Sequence, residues 1–123
     1  MMWPAAFREF VERHALIGRE IEIPEAEDLS GVGASIGLFS EADATVEAND
    51  VYPGLVVKED GYVPIGGCLI GCGDPYFINV RDQPPGPVYR IYHDSVFDRD
   101  YDREAAIARV LDSYESLLRF VEN

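Results

Sequence analysis

The sequence predicts one domain with a β-sheet at its centre and helices packed on that sheet. Three observations carry this. Two runs rich in aromatic and β-branched residues, 76–80 and 88–92, flank a Pro- and Gly-rich turn, the pattern of adjacent strands. Apolar residues recur at steps of three and four near both ends, the pattern of amphipathic helices. Apolar types make up 47% of the 123 residues, enough for one packed core.

Along the chain, Pro4 suits a first helical turn. Phe7, Phe10, Val11 and His14 follow at helical spacing, His14 as a packed residue, with Gly18 as the expected stop. Ile21 and Ile23 alternate with Glu20 and Glu22 as a short strand that Pro24 ends. Residues 25–35 are polar and Gly-dotted, a loop or, in part, a helical turn. The apolar run 36–39 is a short strand. Ser40 with Asp43 opens a helix over 41–49. Tyr52-Pro53-Gly54 is a turn, residues 55–57 a candidate strand, and Glu59-Asp60-Gly61 a hairpin turn.

The next strand spans 62–70, interrupted at Gly66-Gly67, and residues 71–74 turn the chain. Run 76–80 is apolar almost throughout, so both of its faces should be covered. Along 88–92, Val88, Arg90 and Tyr92 share one face and Tyr89 and Ile91 the other. Ile107, Val110, Leu111, Tyr114, Leu117, Leu118 and Val121 predict a long amphipathic helix over 103–122.

Charge is lopsided: 23 Asp plus Glu against 10 Lys plus Arg, a net −13. Such a surface repels nucleic acid and anionic membrane and favours basic partners. No apolar run is long enough to span a bilayer. Met1-Met2-Trp3-Pro4 lacks the basic-then-apolar order of a signal peptide, so a cytoplasmic location is expected. Cys68 and Cys72 sit four apart, which matches neither a redox motif nor a zinc knuckle, and free thiols are expected.

Motifs for chemistry fail on spacing. Gly71-Cys72-Gly73 precedes a strand where a phosphate site needs a helix N-terminus. Asp98-Arg99-Asp100-Tyr101-Asp102 resembles a calcium loop, but Arg103 and Arg109 stand where glycine and a bidentate glutamate are required. It reads as a solvated acidic loop capping the last helix. His93-Asp94 is the one histidine–acid neighbour pair. On a strand the two would point to opposite faces, and none of Ser35, Ser40, Ser95, Cys68 or Cys72 lies in a nucleophile motif. No catalytic, cofactor-binding or metal residues are therefore expected.

Pro64-Ile65-Gly66, then Gly73-Asp74-Pro75-Tyr76-Phe77-Ile78, then Pro87-Val88-Tyr89-Arg90-Ile91-Tyr92-His93-Asp94 resemble the SUKH superfamily, named for the yeast Smi and Knr cell-wall-synthesis regulators. In that family a Gly-Asp element precedes a core strand, a Val-Tyr-x-x-x-His-Asp-like strand end follows, and an amphipathic helix closes the fold. The likeness covers residues 61–122. Ile23-Pro24-Glu25 is similar to the family's Leu-Pro-acid element, whereas its downstream Asn-Gly-Gly is absent.

The resemblance implies a single SUKH-like domain over 1–123. It implies an α+β fold with a mixed, largely antiparallel sheet, helices packed on it and a closing C-terminal amphipathic helix. It also implies a non-enzymatic protein-binding role, as a bacterial immunity protein that neutralises a basic, nuclease-type toxin by occlusion. Charge and turn position nominate Glu41, Asp43, Glu47, Asp50, Tyr92, Asp94, Asp98, Asp100, Tyr101 and Asp102 as its contact residues. The alternative is a small-molecule-binding or hydrolytic domain with a pocket near Cys68, Cys72, His93 and Asp94.

Overall fold

A computed structural model describes residues 3–71 and 73–122. Six strands, β1 (Glu20–Ile23), β2 (Ala34–Leu38), β3 (Tyr62–Cys68), β4 (Tyr76–Asn79), β5 (Val88–Ile91) and β6 (Ile107–Leu111), lie side by side in chain order. Every pairing among these strands is antiparallel, in keeping with the largely antiparallel sheet expected, and no parallel pair is present among the described residues. Four α-helices accompany them: α1 (Ala5–Arg13), α2 (Glu41–Asp50), α3 (Gly54–Val57) and α4 (Arg103–Ala106). The class is α+β, as expected.

Helix α1 stops short of Gly18. The Leu16 N–H bonds the Val11 carbonyl (3.0 Å) and the Ala15 N–H bonds that of Glu12 (3.2 Å), the Schellman pattern, with Ala15 at φ 51°. Val11 and Leu16 are both buried, so their contact closes the helix without a glycine. His14, expected to be packed, lies at the exposed helix end with its ring 5.2 Å from that of Phe10.

Strand alternation splits the interior into two cores. Tyr76 and Ile78 face the larger one with Ile21, Ile36, Val63, Val88 and the α1 residues Phe7, Phe10 and Val11. Phe77 faces the smaller one with Tyr62, Ile91, Val96, Ala106 and the α3 residues Val56 and Val57. β4 is thus covered on both faces, as its apolar run predicts. Residues 55–57 are helical rather than extended: the Leu55 and Val57 N–H groups bond the carbonyls of Val51 and Pro53. A run of three apolar residues fits either state, and packing on the second face decides. Glu59-Asp60-Gly61 accordingly leads from a 3₁₀ turn (Lys58–Asp60) into β3 and joins no hairpin.

The closing amphipathic helix over 103–122 is not formed. Only α4 is α-helical; β6 and a 3₁₀ helix (Tyr114–Phe120) follow it. β6 pairs with β5 through a shift in register, Leu111 opposite Val88 and Arg109 opposite Tyr89. Val110 is the extra residue of this bulge, so Val110 and Leu111 both reach the larger core. Beyond them, Tyr114, Leu117 and Phe120 repeat at three, the 3₁₀ period, and pack on the same core. A bulged strand followed by a 3₁₀ helix therefore leaves the apolar spacing of an α-helix.

The sheet curls so that its two ends approach. Val121 bridges Ile21, and the Glu122 N–H bonds the Glu20 carbonyl (2.9 Å). The β1–β2 loop straps across the other edge, its Leu29 N–H on the Val110 carbonyl (3.0 Å). Beneath the loop, Arg90 pairs with Asp28 at 3.1 Å, and its Nη2 also donates to the Gly33 carbonyl (2.5 Å). Both side chains are nearly fully buried, at 3% and 0% exposure. Among the described residues no helix is long and apolar enough to cross a membrane.

Candidate functional site

The face nominated by charge is built from α2, the Tyr52 turn and the 96–103 loop. Ser40 caps α2 by accepting the Asp43 N–H (3.1 Å). Ala44 and Ala48 are buried beneath the helix, while Asp43, Val46 and Asp50 are exposed and Glu47 is half-buried. Burial raises the Glu47 carboxyl above its ordinary value. α3 packs tightly under α2: a Cβ on Gly54 would collide with the Glu47 carbonyl oxygen. That approach leaves Tyr52 standing out at 55% exposure.

The 96–103 loop is held by its ends. Val96 is buried in the smaller core. Tyr101 Oη donates to Asp60 (2.5 Å), Arg103 pairs with the other Asp60 oxygen (2.7 Å), and Arg99 pairs with Glu59 (2.7 Å). The Tyr101 hydrogen bond, helped by the Arg103 charge, holds the Asp60 carboxyl below its usual range despite some desolvation. Burial, reinforced by the Asp60 bond, pushes the Tyr101 hydroxyl well above the ordinary phenol range. Phe97, between these anchors, is 77% exposed.

Two open grooves meet on this face. One, of about 270 Å³, runs between Tyr52 and Phe97 with Leu55, Val56, Glu59, Asp98 and Arg99 around it. The other, of about 250 Å³, runs from Tyr52 past Glu47 and Val51 to Phe39 and Gly73. Tyr52 lines both. The structure thus gathers Glu47 and Asp98, predicted as contacts, around aromatic residues that the charge pattern did not nominate. Val96-Phe97 is an apolar pair inside an acidic loop; only Val96 has a core to enter, and that is the signal that could have found Phe97.

The other nominated residues divide. Glu41 belongs to an internal latch: Arg8 Nε and Nη2 donate to its two oxygens (2.9 and 3.1 Å), and the Trp3 N–H donates to Oε2 (2.9 Å). Tyr101 is likewise spent on Asp60. Asp98 accepts the Asp100 N–H (2.9 Å) and Asp102 accepts the Glu104 N–H (3.0 Å) as the α4 cap, yet all three acids remain exposed. Tyr92 is half-buried, its N–H on the Ala106 carbonyl (2.8 Å).

The alternative pocket assembles only in part. His93 and Asp94 sit in a 3₁₀ turn (His93–Ser95) rather than on a strand, so these neighbours do meet, Nε2 to Oδ1 at 3.0 Å. Asp74, which sequence reasoning missed, takes both the His93 N–H (2.9 Å) and Nδ1 (2.7 Å). The ring lies over Gly73, where a Cβ would come within 3.1 Å of Cε1. Its bond to Asp74, with the charges of Asp94 and Asp74, raises the imidazole pKa against slight desolvation. Cys68 is disulfide-bonded, against the expectation of free thiols, and Cys72 lies outside the described residues. Among the described residues no group of three or more His, Cys, Asp or Glu is placed to hold a metal ion.

No family model, no curated protein and no solved structure matches this chain.

Proposed function

We propose that this chain is a non-enzymatic protein-binding domain that occludes a basic partner, in the manner of a SUKH-type immunity protein covering a nuclease-type toxin. The observation that carries the reading is the pair of grooves meeting at Tyr52, exposed aromatic surface rimmed by Glu47 and Asp98 on a molecule of net charge −13. Exposed aromatics at the centre with charge around them is the anatomy of a contact surface. The negative field speeds encounter with a basic protein and makes it salt-sensitive. A nuclease must present a basic cleft to its substrate, which gives such a field a target.

Two features favour binding over hydrolysis. His93 Nε2, the nitrogen that a general base would aim at its nucleophile, is met by Asp94 at 3.0 Å. The Cys68 sulfur is tied in a disulfide. A cytoplasmic setting, which the immunity role calls for, keeps most thiols reduced, whereas a disulfide favours an oxidising compartment. Thiol titration of protein trapped directly from its cells decides between the two.

The role is tested by tagging the chain in its own cells, capturing what it binds and identifying it by mass spectrometry. The expected partner is a basic protein that is lost on raising salt and lost with the triple variant Glu47→Lys, Asp50→Lys, Asp98→Lys, once that variant is shown to fold. A captured set that neither salt nor the triple variant alters would overturn the reading.

A further inference from the structure

The groove between Tyr52 and Phe97 has a more specific chemistry than the acidic face around it. Two aromatic rings, 55% and 77% exposed, line one recess. A monomeric surface has no folding reason to hold two large rings out of its core beside one another. Phe97 is not out because its loop is loose. Val96 is buried on one side of it, and Arg99–Glu59, Tyr101–Asp60 and Arg103–Asp60 pin the chain on the other. The ring is therefore displayed by a fixed backbone, and little ordering remains to be done when something docks there.

The charges in the recess select the occupant. Glu59 and Asp98 supply two negative charges and Arg99 one positive, so the groove carries a net of one negative charge. Arg99 is held to Glu59 at 2.7 Å, while Asp98 uses Oδ1 on the Asp100 N–H and pairs with no cation among the described residues. An apolar side chain would satisfy the rings and leave the charge unanswered. A hydrated ammonium would answer the charge and gain less from the rings. A guanidinium does both: it is planar, weakly hydrated, stacks on aromatic faces and offers N–H groups to a carboxylate.

Resting on the reading of this face as a surface for a basic protein, we propose that the Tyr52–Phe97 groove is an arginine pocket. One arginine of the partner seats between the two rings, with its guanidinium turned to Asp98. The remaining contacts of the face then act mainly on encounter, and this side chain acts on residence.

The test is an NMR titration of the full chain with N-acetyl-arginine amide, read on the Phe97 and Tyr52 rings and the Asp98 and Leu55 amides. Saturable shifts confined to this groove are expected. N-acetyl-citrulline amide, the neutral isostere, and N-acetyl-leucine amide should bind at least about threefold more weakly. Phe97→Leu, which keeps apolar area and removes the aromatic face, should weaken arginine by a similar factor. Leucine amide binding as well as arginine, or Phe97→Leu binding arginine like the wild type, would overturn the proposal. The captured partner separates the two levels. If Tyr52→Leu and Phe97→Leu retain it while the triple charge reversal loses it, the pocket fails and the acidic face stands. If the reversal also retains it, the face itself fails.

Discussion

Replacing Asp28 with asparagine tests what holds the β1–β2 loop on the sheet. Asp28 is fully buried, and Arg90, 62 residues away, reaches it from the sheet at 3.1 Å. The asparagine side chain would keep an oxygen for Ser30, whose N–H and Oγ both bond Asp28 Oδ1 (2.7 and 2.6 Å). Its NH2 would then stand in place of Oδ2, the oxygen that accepts from Arg90, so the charge that answers the guanidinium is lost and a donor faces a donor. What remains for the guanidinium is poor: one bond to the Gly33 carbonyl, the Tyr76 ring 5.2 Å from Cζ, and a buried Nε with no partner. Breaking one side of a buried ion pair costs about 3–5 kcal/mol, because a charge is left in low dielectric. The low end applies here, since Gly33 and Tyr76 still offer the cation some compensation. A domain of this size has about 5–15 kcal/mol in total, so Asp28→Asn removes a large part of it. Urea unfolding should show a loss of about 3 kcal/mol, and melting a drop of about 10 °C. Hydrogen exchange should speed at the Leu29 and Gly31 amides, whose bonds go to Val110 and Asp28. The double variant Asp28→Asn, Arg90→Met should recover much of the loss, because the oxygen for Ser30 is kept and no buried charge is then left alone. A loss under about 0.5 kcal/mol for Asp28→Asn, with unchanged exchange, would refute the reasoning, since it is the size of a surface substitution.

Two further outcomes follow from the site. The His93 pKa is raised in the folded protein, mainly by its bond to Asp74. An imidazole so raised adds stability below its unfolded value of about 6.5, and that contribution fades as pH climbs through the raised folded value. The ring is more than a third exposed, so the effect is about 1 kcal/mol or less. Asp74→Asn should flatten this part of the stability curve, measured as the urea midpoint between about pH 6 and 8.5; parallel curves for the two proteins would count against the pairing. Gly54→Ala should cost about 2–4 kcal/mol, because its Cβ would run into the Glu47 carbonyl. Gly71→Ala, at φ 81° but in open space, should cost about 1 kcal/mol. Equal midpoints for the two variants would mean that α3 does not lean on α2 as closely as described.

Much of the fold was legible residue by residue. The aromatic and β-branched runs at 76–80 and 88–92 became β4 and β5, and Ile21 and Ile23 became β1. Ser40 with Asp43 opened α2. The alternation Val88, Arg90 against Tyr89, Ile91 placed each side chain on its observed face. These are local signals: propensity, a period of two and a cap need no knowledge of the rest of the chain. The residues proposed as contacts were nominated from charge and turn position, which is why Glu41 was among them although Arg8 and Trp3 occupy it.

What the amino-acid order determined alone was therefore the strands of the sheet's middle, the cap of α2 and the negative field. What only the tertiary structure decided was the fate of 103–122, the pairing of Asp28 with Arg90, and the exposure of Phe97 beside Tyr52. The physical reason is shared. Apolar spacing says that a residue will be buried, but which backbone state buries it depends on what lies opposite. The open edge of β5 supplied hydrogen-bond partners to 107–111, and a single bulged residue then reproduced the steps of three and four that a helix would also show.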